Sequence, residues 1–210
     1  MAEREKILYV AASPRGETST SRGFGDEVVG QFEQNGWAID RLDLWAEDLP
    51  DLNNDIVAAK YAKLAGRGLT GAQAAAWEAI ERLVERVDVA DRVVIATPMW
   101  NFGIPYKLKH WIDLITQPGL TFTFDIATGY HPLLASRPVL VILSSAGDYR
   151  SGSSRGRPDL ATPYLHAALK FIGLADVEIV PIGPTVGPDA DIAEGRERAT
   201  ASLAAWFDHG

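Results

Sequence analysis

Three short stretches hold the residues whose types and spacing could do chemistry. The first is Ser13-Pro-Arg-Gly-Glu-Thr-Ser-Thr-Ser21, with five hydroxyl side chains in nine residues. Hydroxyls this dense before a helix suit a tetrahedral anion, because the first helical turn leaves N–H groups free and carries the positive dipole end. A solvated loop with a serine cap has the same composition, so the local pattern leaves both readings open. The second stretch is Pro98-Met-Trp-Asn-Phe-Gly-Ile-Pro105. It is apolar and aromatic where loops are normally polar. Such a loop suits contact with a flat ring, its backbone amides meeting ring heteroatoms edge-on; burial of Trp100 and Phe102 under a neighbouring loop or subunit would use the same residues. The third is Ser144-Ser-Ala-Gly-Asp-Tyr-Arg150. Its small residues let a ligand approach the backbone, and Tyr149 offers a donor hydroxyl. An ordinary strand-to-helix turn is the competing reading.

These stretches gain force from the elements that must position them. Ile7–Ala12, Val93–Thr97 and Pro138–Leu143 are continuous apolar runs. They read as strands buried on both faces of a parallel sheet, with Val177–Ile182 as a fourth apolar run. Residues 37–44 alternate and predict an edge strand with one wetter face. Helical spacing fills the gaps. Phe24, Val28 and Phe32 precede a stop at Asn35-Gly36, and Thr70 with Gln73 forms a capping box ahead of Trp77, Ile80, Val84 and Val87. Pro105 is expected to open a helix bearing Leu108, Trp111, Ile112 and Ile115, and Thr162-Pro163 a helix stopped by Gly173. Ile192, Ala199, Leu203 and Trp206 mark a last amphipathic helix. The alternation of strand and helix predicts an α/β fold with right-handed crossovers and helices on both faces, residues 1–210 forming one domain. Residues 53–69, with room for a short helix, and 119–136 are excursions. The three candidate stretches each follow a strand, at the sheet edge where such folds bind ligands.

Composition closes off other classes. There is no cysteine, which excludes disulfides, thiol redox chemistry and Cys-ligated zinc or iron–sulfur centres. Twenty Lys and Arg against 28 Asp and Glu give a net charge of −8, unsuited to nucleic acid. The first apolar run is too short for a signal peptide core or a membrane span, so the cytoplasm is the expected location, with no membrane partner. His110, His131, His166 and His209 lack metal spacing, so no metal is expected. Gly66-Arg-Gly-Leu-Thr-Gly71 matches a dinucleotide fingerprint in letters only, because helical rather than strand sequence precedes it. Asp40, Asp43 and Asp48 read as solvated charges.

Taken together, Ser13 with Ser19-Thr-Ser21, Thr97-Pro-Met-Trp-Asn-Phe102, Lys107-Leu-Lys-His-Trp-Ile-Asp113, Gly119-Leu-Thr-Phe122 and Ser144-Ser-Ala-Gly147 give the chain its closest likeness. It resembles, over nearly its whole length, the flavodoxin-like FMN-dependent azoreductases and NAD(P)H quinone reductases. The resemblance implies a three-layer sandwich whose five-stranded parallel sheet is ordered 2-1-3-4-5. It implies that Ser13, Ser19, Thr20 and Ser21 hold the FMN phosphate. Pro98, Met99, Trp100, Asn101 and Phe102 would line the flavin ring, and Ser144, Ser145, Ala146 and Gly147 its pyrimidine edge. NADH or NADPH would be the donor and a quinone or azo compound the acceptor in a ping-pong reaction, with Tyr149 as candidate proton donor. A homodimer with sites at its interface is implied as well, and Phe122, Phe124 and Tyr130 are aromatic enough for it. Two departures bear on substrate range: Trp100 stands where many azoreductases have Tyr, and Ser145-Ala146 where Arg-Gly is frequent. An NAD(P)H:FMN reductase is a second enzymatic reading, and a flavodoxin-like electron carrier or flavin-binding regulator a non-catalytic one.

Overall fold

The computed structural model describes residues 4–208; His209 lies outside them. In chain order the elements are β1 (Lys6–Ala11), α1 (Thr20–Gln34), β2 (Ala38–Asp43), α2 (Asn54–Leu64), α3 (Gly71–Asp88), β3 (Arg92–Pro98) and α4 (Tyr106–Ile115). There follow β4 (Phe122–Asp125), β5 (Gly129–Pro132), β6 (Val139–Ser144), β7 (Ser153–Ser154), β8 (Arg157–Pro158), α5 (Ala161–Ile172), β9 (Val177–Ile182) and α6 (Asp189–Asp208). The main sheet is parallel and runs β2-β1-β3-β6-β9, the 2-1-3-4-5 order once the two small hairpins β4–β5 and β7–β8 are set aside.

The apolar runs form central strands because successive side chains enter opposite cores. Leu8, Val10, Val93, Ile95, Val139 and Val141 join one cluster with α2 to α5. Ile7, Tyr9, Val94, Ala96, Leu140 and Ile142 join the other with α1 and α6. With both faces covered, only strand ends reach solvent. The outer strands differ, as their mixed composition predicts: β2 carries Arg41 in the open, and β9 carries exposed Glu178 and Pro181.

Polar side chains fasten the layers. Asp40 takes a two-pronged contact from Arg86 of α3, at 3.0 and 2.7 Å, and Asp43 accepts from Arg22 of α1 at 2.6 Å. Both carboxylates were expected to be solvated charges. They are instead paired with cations far along the chain, and only Asp48 of the three is freely exposed. Buried Arg137 donates from one nitrogen to the Val87, Asp88 and Ala90 carbonyls, closing the α3 C-terminus where orphan acceptors and the negative dipole end meet.

Two helix starts depart from expectation. Pro105 is the cap residue of α4 rather than its first helical position. Helix α5 begins at Ala161, before Thr162-Pro163, because Asp159 Oδ1 accepts from the Ala161 and Thr162 N–H groups at 2.9 Å each. A carboxylate there satisfies two orphan donors, which outcompetes a threonine cap. The Thr70–Gln73 capping box and the left-handed Gly173 stop are both present. Gly66–Gly71 follows α2 rather than a strand.

Candidate functional site

The hydroxyl-rich stretch begins where β1 ends and closes on the first turn of α1. Ser19 caps that helix, its Oγ accepting from the Arg22 N–H at 3.3 Å and lying 3.3 Å from Ser21 Oγ. Ser13, Ser19 and Ser21 are all buried, at 2%, 5% and 0% exposure, and Thr20 is half-buried. The N–H groups of Thr20 and Ser21 have no acceptor among the described residues. Free first-turn donors beside sequestered hydroxyls fit a phosphate, the anionic end of FMN. Arg22 is not spare for this task. Its guanidinium is committed to Asp43, whose hydrogen bond holds it above its ordinary pKa.

Asp43 also accepts from the Trp45 N–H at 3.0 Å, and Trp45 Nε1 donates to the Ala12 carbonyl at 3.2 Å. One carboxylate thereby joins the start of α1, the end of β2 and the backbone of Trp45. Trp45 was not among the residues singled out from sequence. Its ring centroid lies 6.1 Å from that of Trp100 and 5.3 Å from that of Tyr106. Its position just past the alternating β2 run, at a strand's carboxyl end, was the available signal.

At the end of β3, Pro98 leads into a tight turn. Met99 donates to the Ser144 carbonyl at 2.7 Å, and Trp100 and Gly103 exchange backbone bonds of 2.9 and 3.0 Å. Between them Asn101 and Phe102 both take positive φ, 47° and 74°. This is the pattern of a type I′ turn, natural for Asn but strained for Phe, and such strain collects at functional loops. The Phe102 carbonyl accepts from Leu160 at 2.9 Å, which helps hold it there. Trp100 and Phe102 stay 37% and 40% exposed, and the Asn101 and Phe102 N–H groups have no acceptor among the described residues. The turn thus offers an apolar face and free amide donors together, which fits a heteroatom-edged ring such as the flavin's.

The third stretch leaves β6 beside this turn. Ser144 and Ser145 are buried, and Ser145 Oγ donates to the Gly147 carbonyl at 2.7 Å. Ser145 is therefore an internal strut, while Ala146 faces solvent. Gly147 is required by packing: a Cβ there would collide with Ser154 Oγ and lie 3.1 Å from Arg157 Nη2. Met99, Asn101, Phe102, Ser145, Ala146, Tyr149 and Arg157 enclose a pocket of about 200 Å³. The second and third stretches meet in it. The first does not line it, and lies at the end of the adjoining strand. Tyr149 is half-buried, with the Arg157 guanidinium 6.0 Å from its ring centre. Arg157 is the second residue not singled out from sequence; its signal was three arginines within Arg150–Arg157 of an otherwise acidic chain.

Comparison with known proteins bears on the family and the fold. Residues 5–206 match the family described as Flavodoxin-like fold. FMN-dependent NADH:quinone oxidoreductase 1 of Bradyrhizobium diazoefficiens is 48% identical over 206 residues, spanning 96% of this chain and 99% of the relative. FMN-dependent NADH:quinone oxidoreductase of Nitratidesulfovibrio vulgaris is 43% identical over 192 residues, spanning 90% and 91%. An FMN-dependent NADH-azoreductase from Bacillus anthracis, solved in complex with FMN, shares the fold with a TM-score of 0.81 at 24% identity, covering 96% of this chain and 99% of that one.

The contact at Gly147 is directly testable. Gly147→Ala is expected to lower unfolding free energy by about 1–3 kcal/mol, the usual cost of overpacking, read from urea denaturation. Adding Ser154→Gly removes the struck atoms and should return most of that loss. Equal instability of both variants would show that the hairpin does not press on this loop.

Proposed function

The chain belongs to the flavodoxin-like family, and on that premise we propose that it is an FMN-dependent NADH:quinone oxidoreductase that also reduces azo compounds. The observation that carries the reading is the pocket where Met99, Asn101 and Phe102 face Ser145, Ala146 and Tyr149. It stands at the carboxyl ends of β3 and β6, one strand from a helix start with free donors. Both named relatives are FMN-dependent NADH:quinone oxidoreductases, and the flat acceptors of quinone and azoreductases suit the same aromatic wall.

In this reading Ser13, Ser19, Thr20 and Ser21 hold the FMN phosphate through hydroxyls and first-turn amides. Pro98 to Phe102 supply the apolar wall and turn-tip N–H donors to the ring, and Ser144 to Gly147 form the boundary at its pyrimidine edge. When bound, FMN supplies the two-electron hydride chemistry that no side chain here performs. The protein's part is to place the ring, exclude water and admit one flat partner at a time. In the same reading Tyr149, which lines the pocket, is the candidate donor of a proton to the reduced acceptor. NADH and acceptor share one wall, so they bind in alternation.

The exposed side chains of a separate hairpin, packed on Phe171 at the far end of α5, extend the proposal to a homodimer. Phe124, Ile126, Tyr130 and Leu133 of the β4–β5 hairpin are 51%, 96%, 61% and 48% exposed, an apolar cluster suited to a second copy. Among the described residues no helix is long and apolar enough to cross a membrane. We take residues 1–210 as one cytoplasmic domain acting on small molecules, its acidic balance arguing against a nucleic-acid partner.

Four outcomes check the reading. Ser21→Ala is expected to weaken FMN binding by about 1–3 kcal/mol, the worth of a hydrogen bond to a charged group, in a fluorescence titration. Ser21 is the cleaner choice because Ser19 also caps α1. Light scattering should give twice the 22.8 kDa chain mass at micromolar concentration; an active monomer would remove the interface. Initial rates with NADH and a quinone should give parallel double-reciprocal lines. In stopped flow, Trp100→Ala should slow the acceptor half-reaction more than the NADH half-reaction. Intersecting lines, or a variant unchanged in both halves, would defeat the shared-wall mechanism.

A further inference from the structure

Beside the small pocket lies a larger groove that nothing above employs. It has a volume of about 770 Å³ and shares Ala146 and Arg157 with the pocket, so the two spaces adjoin. Its walls include Arg150, Arg155 and Arg157 against Asp148 and Asp191. On a chain of net charge −8, a groove with this excess of guanidinium groups is out of keeping with the rest of the surface.

The three arginines are not equivalent. Arg150 is tied to Asp148, and its hydrogen bond holds that carboxyl below its ordinary pKa. Among the described residues Arg155 and Arg157 form no ion pair. Arg157 is nevertheless anchored: its Nε donates to the Ser154 carbonyl at 3.2 Å, and its Nη2 lies over Gly147. Arg155 occupies the tip of the β7–β8 hairpin with φ +50°, followed by Gly156 at +77°. A turn with two positive φ values favours Asn, Asp or Gly at its first position, so arginine stands there against local preference. Guanidinium groups present fixed donor forks matched to phosphate oxygens.

We propose that the hairpin Ser153–Pro158 is a phosphate clamp for the nicotinamide dinucleotide, Arg155 and Arg157 gripping its phosphate groups while the nicotinamide ring reaches over to the flavin site in the adjoining pocket. This rests on the reading of the protein as an NADH-dependent enzyme. The small pocket is given to the flavin ring in that reading, and the adjoining groove provides the volume for the phosphate-bearing part of the dinucleotide. The recognised chemistry is a nucleotide phosphate, from the diphosphate common to NADH and NADPH or from the 2′-phosphate of NADPH.

The test uses the FMN-loaded protein and two variants. Arg155→Gly removes the cation while suiting the turn, so it does not burden folding. Arg157→Gln keeps length and polarity. Stopped-flow reduction is followed with NADH, with NADPH and with phosphate-free 1-benzyl-1,4-dihydronicotinamide, and ADP-ribose binding is measured by calorimetry. Each variant should raise the half-saturating NADH concentration about ten-fold or more and weaken ADP-ribose comparably, and Arg155→Gly, outside the small pocket, should leave the phosphate-free donor within two-fold. Equal losses for NADH and NADPH assign the clamp to the diphosphate, and a loss larger for NADPH assigns it to the 2′-phosphate. Unchanged NADH saturation and ADP-ribose binding, or an equal loss with the phosphate-free donor in Arg155→Gly, would overturn the clamp while leaving the NADH reading intact. Wild-type protein that binds ADP-ribose through these arginines yet oxidises no NADH would instead overturn the enzymatic reading alone.

Discussion

Strands β1, β3 and β6 lie side by side with almost every residue between two apolar cores, and that double burial determines where anything else can happen. Along such strands each backbone group is committed to the ladder and each side chain to a core. An unpaired polar residue placed there would cost a large share of the small free energy separating folded from unfolded chain. The remaining freedom is at strand ends. The hydroxyl-rich turn, the aromatic turn and the small-residue turn therefore occupy one edge of one sheet.

Those turns act as one layer. Met99 bonds to the end of β6, Ser145 bonds to Ile182 at the end of β9, Thr185 bonds back to Ser145, and the Phe102 carbonyl is held by Leu160. A cross-loop bond of this kind allows Phe102 to keep a left-handed backbone conformation that an isolated turn would relax. Asp43 makes such bonds at the other end of the layer, joining Arg22, Trp45 and, through the indole, Ala12. The surface that would meet a flavin is thus held by main-chain contacts rather than by the side chains it displays.

How much of this the sequence disclosed depends on the range of each interaction. Strands buried on both faces announce themselves as unbroken apolar runs, and their order of alternation with helices allowed few topologies. The aromatic turn was visible because Trp100 and Phe102 are out of place in a loop. Interactions across long sequence separations were not visible. Asp40 and Asp43 looked like loose surface charges because Arg86 is 46 residues from one and Arg22 is 21 from the other. The α5 cap was misplaced by a few residues since Asp159, Thr162 and Pro163 all favour a helix start, and only geometry ranks them. Ser145 looked like a ligand contact, yet its hydroxyl is spent inside its own loop. Trp45 and Arg157 carry no motif; their relevance comes from neighbours brought close by folding.

The outermost strands have a consequence for how far the sheet can extend. Pro181 interrupts the donor row on the free side of β9, and Glu178 puts a charge on the same strand, while β2 shows Arg41 and two paired aspartates along its own margin. Neither border is a template onto which a foreign strand could be zippered. The sheet is finished at five strands, and polymerisation by edge-to-edge addition is blocked at both sides.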